Sequence, residues 1–299
     1  MTKPTELPFH SGFISLIGRP NAGKSTLLNR LVGEKIAITS AKPQTTRNRI
    51  QGICNLPQAQ IVFVDTPGIH RARSRLNKFM VNTAMDAMMG GDLTLLLMPA
   101  DNRPEGGEEF IREIVAETNQ PVALVLTKID LLPKERLLPL IERYRHLHDF
   151  VAILPVSAVT GAGVDELVRV AVAQLPEGPA YFPDDILTDL PERFLAGEMV
   201  REKLFQFTRD EVPYSTAVTV DRFFERPDGL IEIDATINVE RDSQKGVIIG
   251  KGGAMLKKIG TAARKDLEEF LQARIFLQLF VRVQKEWSEN SHLLKEFGY

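Results

Sequence analysis

An α/β domain built on a mostly parallel sheet, followed by a smaller α+β domain, is the fold class predicted for this 299-residue chain. Three observations predict it. Short apolar runs alternate with amphipathic stretches through the first half, the rhythm of βαβ units in a mostly parallel sheet with helices on both faces. A glycine-rich loop with a lysine and a serine follows the first run. The element order then changes beyond a cluster of prolines near residue 176.

The apolar runs at 13–17, 61–64, 93–98, 122–126 and 152–154 are the candidate parallel strands. Each is short and rich in Val, Ile, Leu or Phe. Helical patterns follow at 26–31, 108–117, 135–146 and 164–174. The run 50–54 reads as an added strand beside 61–64, joined to it by a turn at Pro57. Pro176, Gly178, Pro179, Pro183 and Pro191 then punctuate the chain. This places a first domain at 1–176, a linker at 177–190 and a second domain at 191–299. The second domain reads as a helix at 192–208, strands at 215–224 and 230–239, helices around 254–269, a strand at 275–283 and a last helix near 290–297. The order is α-β-β-α-α-β with an added helix.

Composition narrows the class. A chain of this length holds about two domains and buries a real core without staples. Thirty-seven basic residues against 39 acidic ones give a net charge of -2. That excludes a uniformly basic nucleic-acid binder and an acidic disordered chain. Cys54 is the only cysteine, so an intrachain disulfide and a Cys-rich zinc site are excluded. No apolar run approaches the ~20 residues of a membrane span, and no apolar signal core precedes the first strand. A cytoplasmic enzyme or switch is expected.

Gly18, Arg19, Pro20, Asn21, Ala22, Gly23, Lys24 and Ser25 spell the GxxxxGK[ST] pattern, and Thr26 continues into a helix. A plain glycine turn is the bland alternative, and the strand–loop–helix context disfavours it. Backbone N–H groups of such a loop converge on phosphate oxygens, Lys24 reaches the β and γ phosphates, and Ser25 ligates Mg²⁺. Asp65 and Gly68 form a DxxG after the second run, where a carboxylate reaches Mg²⁺ through water and a glycine N–H meets the γ-phosphate. Thr127, Lys128 and Asp130 follow the run 122–126. A carboxylate at Asp130 accepts from the ring N1–H and exocyclic amine of guanine, a donor pair adenine lacks, so GTP is selected over ATP. Ser157 and Ala158 offer a backbone N–H to guanine O6.

The catalytic equipment has a gap. The position after DxxG, where a glutamine orients water in Ras-like enzymes, holds Ile69. Isoleucine neither accepts a proton nor aims a water, so slow intrinsic hydrolysis is expected. Thr45 and Thr46 lie in a polar segment, and Thr46 is favoured as the residue completing Mg²⁺ coordination in the GTP state. Residues 70–78 read as a mobile switch. Arg47, Arg71, Arg73 and Arg75 are expected as solvated switch arginines, with an arginine finger as the sharper alternative. Met80, Met85, Met88 and Met89 read as helix packing. The five histidines show no metal-ligand grouping.

The first domain resembles the TrmE-Era group of GTPases, through the P-loop asparagine Asn21, the Thr45-Thr46-Arg47 segment and the five guanine-nucleotide motifs in order. The resemblance implies that Lys24, Thr46, Gly68 and Asn21 serve catalysis. It also implies that a K⁺ ion held partly by Asn21 supplies positive charge. Thr127 departs from the group, which has asparagine there. Somewhat looser guanine binding is expected, with specificity kept by Asp130.

The second domain carries Gly250-Lys251-Gly252-Gly253 between an apolar run and an amphipathic helix. Between Arg241 and Lys265 seven basic residues face one acidic residue, a local charge of +6 in a nearly neutral chain. The GxxG, the surrounding pattern and the element order resemble a type II KH domain, whose glycine loop clamps about four single-stranded nucleotides. Ile249, Gly250, Lys251, Gly252, Gly253 and Lys257 are the candidate RNA-binding residues. Leu256 and Ile259 are expected in the core. Trp287, Phe297 and Tyr299 are expected to dock and cap the tail.

A GTPase joined to such a domain resembles the KH-bearing branch of the group across nearly the whole chain. The resemblance implies binding of GTP/GDP and Mg²⁺, contact with the 3′ end of 16S rRNA and assistance in maturing the 30S subunit. It further implies a monomer, no DNA partner, and a weak peripheral association with the inner membrane that no anchor in the sequence supports. Two alternatives stand beside it. One is a metabolic or transport NTPase with an incidental tail. The other is a tRNA- or ribosome-associated GTPase of the same group.

Overall fold

The computed structural model describes residues 8–70, 74–100 and 106–299. The first half forms β1 (His10–Gly18), α1 (Lys24–Val32), β2 (Ile50–Leu56), β3 (Ala59–Asp65), α2 (Arg75–Met89), β4 (Leu93–Pro99), α3 (Gly107–Glu117), β5 (Val122–Thr127), α4 (Leu137–Tyr144), β6 (Ala152–Val156) and α5 (Val164–Ala173). The sheet order is β2-β3-β1-β4-β5-β6. β2 runs antiparallel to β3 and every other pair is parallel. β3 and β5 are buried at every residue, which is why they read as unbroken apolar runs rather than alternating ones. Phe110, Ile111 and Ile114 of α3 pack on Leu96, Met98, Leu124 and Leu126. Met80 and Met88 are buried in the same way, while Met89 is exposed.

The second half forms α6 (Glu192–Phe207), β7 (Thr216–Glu225), β8 (Leu230–Val239), α7 (Asp242–Ile249), α8 (Ala254–Leu271), β9 (Arg274–Val283) and α9 (Ser291–Glu296). β7 is antiparallel to β8, and β8 is parallel to β9. The order α-β-β-α-α-β is present, but its first paired helix is α7, before the glycine loop, where the sequence shows only an apolar run. Gln244 holds that helix start by accepting from the N–H groups of Glu240 and Arg241 at 3.0 and 3.1 Å. Val200, Leu204, Ile237, Ile248, Ile259 and Ala263 form the core.

The chain divides into two compact units after Asp189. The proline-rich stretch 177–190, expected as a linker, is tied almost throughout to the first unit. Gln60 is fully buried. Its Oε1 accepts from the N–H groups of Tyr181 and Phe182 at 2.7 and 2.9 Å, and its Nε2 donates to Phe182 O and Asn55 Oδ1 at 2.8 Å each. Ile53 N donates to Leu187 O at 2.8 Å, which covers the open edge of β2. The second unit takes in Ala37–Arg47 and the stretch ending at Phe79 as well as Leu190–Tyr299.

Candidate functional site

The phosphate loop joins the end of β1 to α1. Asn21 and Gly23 take left-handed conformations, φ 62° and 91°, and Gly23 is the cap from which α1 begins at Lys24. The first-turn N–H groups of α1 therefore face the loop, a ready anion site. Lys24 is buried and its Nζ donates to the carbonyls of Gly18 and Arg19 at 3.1 Å each. Burial pushes its pKa down to about 8, opposed by the charge of Asp65. Ser25 Oγ donates to Asp65 Oδ2 at 2.6 Å. A hydroxyl beside a buried carboxylate is the hard-oxygen set that Mg²⁺ takes together with water and substrate phosphate. Among the described residues no three His, Cys, Asp or Glu side chains cluster as a metal cage.

Asp65 ends β3, and Thr66 Oγ1 donates to Leu16 O at 2.8 Å, fixing the turn that follows. Gly68 lies hard against the loop. A Cβ there would sit 2.5 Å from Pro20 N and 2.7 Å from Pro20 Cα, so only glycine permits the approach. Ile69 N donates to Gly18 O at 3.1 Å, while its side chain packs against the hydrophobic core. Arg19 turns its side chain away from the loop, donating to Gly106 O and lying 4.9 Å over the Phe110 ring.

Thr127 is buried at the end of β5, and its hydroxyl donates to Ala22 O at 2.7 Å. The side chain thus braces the phosphate loop. Lys128 follows in the left-handed region at φ 60°, and Asp130 is exposed in the turn beyond it. Ser157 is buried, with its N–H donating to Ala162 O at 2.9 Å and its Oγ accepting from Thr160 N at 3.1 Å. Ala158 is half-buried beside it. Asp130 and Ala158 follow the C-terminal ends of the adjacent parallel strands β5 and β6, and Lys24 follows that of β1. This is the sheet end where α/β proteins bind nucleotides.

Thr46 is buried, in the segment that groups with the second unit. Arg47 is not the solvated arginine expected from the sequence. It is 2% exposed, and it donates to Thr216 O at 2.6 Å, Tyr214 O at 2.8 Å and Tyr299 Oη at 3.2 Å. Its guanidinium lies 5.7 and 5.6 Å from the Trp287 and Tyr299 ring centres. Burial lowers its pKa, with Tyr299 opposing the shift. Arg201 is also buried; it donates to Thr45 O and holds Glu198 in a two-pronged pair. Arg75 is exposed; Arg71 and Arg73 lie outside the described residues. Trp287 is buried, with Nε1 donating to Ser215 O at 3.0 Å, and it packs on Phe297 and Tyr299. The tail aromatics thus dock the end of the chain.

The second candidate site is the loop before α8. Gly250, Gly252 and Gly253 all have positive φ, at 71°, 60° and 81°. A Cβ at Gly250 would meet Met255 Cβ at 2.7 Å, whereas nothing lies within 4 Å of one at Gly252 or Gly253. The last two face open space, where another backbone can approach closely. Lys251, between Gly250 and Gly252, is exposed. Beside the loop runs a groove of about 500 Å³, lined by Gly253, Leu256, Lys257, Gly260, Arg264 and Phe276 among others. Ile248 and Ile259 are core. Leu256 is half-buried: it packs against that core, as expected, and also lines the groove. Ile249 is half-buried at the end of α7. Arg264 and Phe276 were missed from the sequence. The i, i+7 spacing of Lys257 and Arg264 on one helix face was a signal for the arginine, whereas Phe276 joins the groove only through the placement of β9.

A phosphate loop backed by Ser25 and Asp65 on this sheet, joined to a glycine-loop α+β unit, defines a P-loop GTPase with a C-terminal KH domain. Residues 13–128 match the family described as 50S ribosome-binding GTPase, and residues 211–288 match the KH domain. The chain belongs to the Era family of GTPases. It is 61% identical to GTPase Era of Geotalea uraniireducens over 295 residues, 99% of each chain. It is 51% identical to GTPase Era of Lacticaseibacillus paracasei over 290 residues, 97% of each chain. Two crystal structures are similar at 40% identity and a TM-score of 0.93, each covering 97% of this chain and 99% of the solved one. One is an Aquifex aeolicus Era variant bound to GDP and aluminium fluoride. The other is Era with MgGDPNP and nucleotides 1506–1542 of 16S ribosomal RNA. No helix among the described residues is long and apolar enough to cross a membrane.

Proposed function

We propose that this protein is a GTP-controlled RNA-binding factor that holds the 3′ end of 16S rRNA and assists maturation of the 30S subunit in the cytoplasm. The observation that carries this reading is the glycine loop at Gly250–Gly253, with open space over Gly252 and Gly253, beside a groove edged by Lys257 and Arg264. The Era structure with 16S rRNA nucleotides supports the choice of RNA. Functionally, residues up to Asp189 are the switch and those from Leu190 are the RNA reader.

The nucleotide end works as follows. Loop N–H groups and the α1 N-terminus take the phosphates, and Lys24 exchanges its two carbonyl partners for phosphate oxygens. Asp130 reads guanine, Ser157 and Ala158 position a backbone N–H toward guanine O6, and Thr127 steadies the loop beneath the nucleotide. Ser25, Asp65 and, in the GTP state, Thr46 would hold Mg²⁺, which neutralises charge on the β and γ phosphates. Gly68 presents its N–H toward the γ-phosphate. Ile69, turned into the core, cannot orient water, so intrinsic turnover is slow. To Asn21 we assign the holding of a K⁺ ion that compensates. Equal turnover in K⁺ and Na⁺ at matched ionic strength would contradict that last role.

Crosslinking to RNA in cells, followed by sequencing of the bound fragments, tests the reading. Recovery of the small-subunit 3′ end is expected. Recovery of tRNA or random fragments would defeat it.

A further inference from the structure

The sheet of the second unit has one face packed by helices; on the other face the central-strand residues Glu232, Thr236 and Asn238 are buried, while the outward residues of the β9 edge are exposed. Successive side chains of a strand alternate between faces, and β9 divides accordingly. Ile275, Leu277, Leu279, Val281 and Val283 pack into the helix-side core. Arg274, Phe276, Gln278, Phe280 and Arg282 are all exposed on the other side. Phe276 is 49% exposed and Phe280 52%. Single exposed apolar residues need no explanation, but a row of them marks an interaction surface. Four strand residues place these two rings about 13 Å apart along one column. The column therefore reads cation, aromatic ring, amide, aromatic ring, cation.

The neighbouring strand qualifies its charge. In register with the column, β8 sets Glu232 opposite Phe276, Asp234 opposite Gln278, Thr236 opposite Phe280 and Asn238 opposite Arg282. The Glu232 carboxylate is already held by Arg222 at 2.8 Å and by Arg226, so no bare acid stands beside Phe276. β9 is also the edge of its sheet, and Phe276 lines the groove beside the glycine loop. The exposed column is thus continuous with that groove.

We propose that single-stranded RNA leaving the groove turns over the β9 edge and stacks bases on Phe276 and Phe280, with Gln278 meeting base edges and Arg282 meeting phosphate. Exposed aromatic side chains on a sheet face bind single strands in this way, tolerant of sequence because every base has a π-face. The inference rests on the RNA-binding reading of the second domain and extends its footprint beyond the roughly four nucleotides a glycine clamp holds.

The test uses the full chain and two synthetic RNAs, a four-nucleotide and a ten-nucleotide strand matching the small-subunit 3′ end, with 2-aminopurine near one end of the longer one. Fluorescence anisotropy gives affinity and 2-aminopurine quenching reports stacking. Phe280→Ala should weaken the longer strand about tenfold, abolish the quenching and leave the shorter strand unchanged. Phe280→Tyr should restore both signals, and matching thermal unfolding of the two variants shows that the fold is intact. If Phe280→Ala binds both strands as the parent does while Gly253→Asp weakens both, the extension is wrong and the groove stands. If Gly253→Asp also changes nothing, the groove reading fails and the extension with it. A change in self-association on sedimentation, without a change in RNA affinity, would assign the face to protein contact and overturn the inference.

Discussion

Replacing Thr127 with valine keeps the volume of a buried side chain and removes one proton donor. In the protein that donor serves Ala22 O at 2.7 Å, and Ala22 is fully buried. The substitution therefore orphans a carbonyl that water cannot reach. Leaving one such group unsatisfied costs about 1–3 kcal/mol. The bond fastens the phosphate loop to the strand that carries the guanine-reading turn, so the loss should appear in nucleotide binding. At tenfold per ~1.4 kcal/mol, the GDP Kd should rise by about 5- to 140-fold. Guanine preference should persist, because Asp130 is untouched. Isothermal titration of GDP, GTP and ADP into both proteins measures it, with urea unfolding as the check on stability. Parent-like GDP affinity and stability in Thr127→Val would refute the bracing role. A selective loss of guanine preference would show instead that the hydroxyl reads the base.

Three further outcomes follow from the same geometry. Lys24 has a folded pKa of about 8 against an ordinary 10.5, so between those values the unfolded chain holds the proton and the nucleotide-free fold does not; this group raises stability as pH climbs through that window. Bound phosphate favours the charged form, so GDP affinity should fall above pH 8 with proton uptake on binding, seen by calorimetry in buffers of different ionisation enthalpy. Gly253→Asp adds a charge where nothing lies within 4 Å; RNA affinity should drop at least tenfold while GTP affinity stays unchanged, by anisotropy and titration respectively. Gln60→Leu strips four hydrogen bonds from a buried amide; it should cost more than about 2 kcal/mol in urea unfolding and open residues 177–189 to limited proteolysis.

The central sheet was legible because its strands are buried on both faces, and that requirement writes continuous apolar runs at 61–64, 93–98 and 122–126. The starts of four strands matched the runs, and the other ends ran one to three residues further, where polar residues such as Gln60 still pair in the ladder. The phosphate loop was legible because the chemistry dictates residue types at fixed spacing. α7 was not, since its segment mixes Gly246 with polar residues and shows no clean helical period. Arg47 escaped because its burial has no sequence signature; its cage of three main-chain oxygens, one hydroxyl and two rings comes from Pro213, Tyr214, Thr216, Trp287 and Tyr299. The stretch 177–190 reads as loose from its prolines, and only the partner demands of buried Gln60 show why it is held. Thr127 could be seen to lack the reach of asparagine, but not that its hydroxyl is committed to the loop.

The central claim joins the two sites: the nucleotide state sets how tightly the glycine groove holds RNA. The affinity of the full chain for the small-subunit 3′-end strand, measured by anisotropy with a non-hydrolysable GTP analogue and again with GDP, tests it most directly. Tighter binding in the GTP-analogue state, lost in Gly253→Asp, is the expected result. Equal affinity in the two nucleotide states would contradict the account.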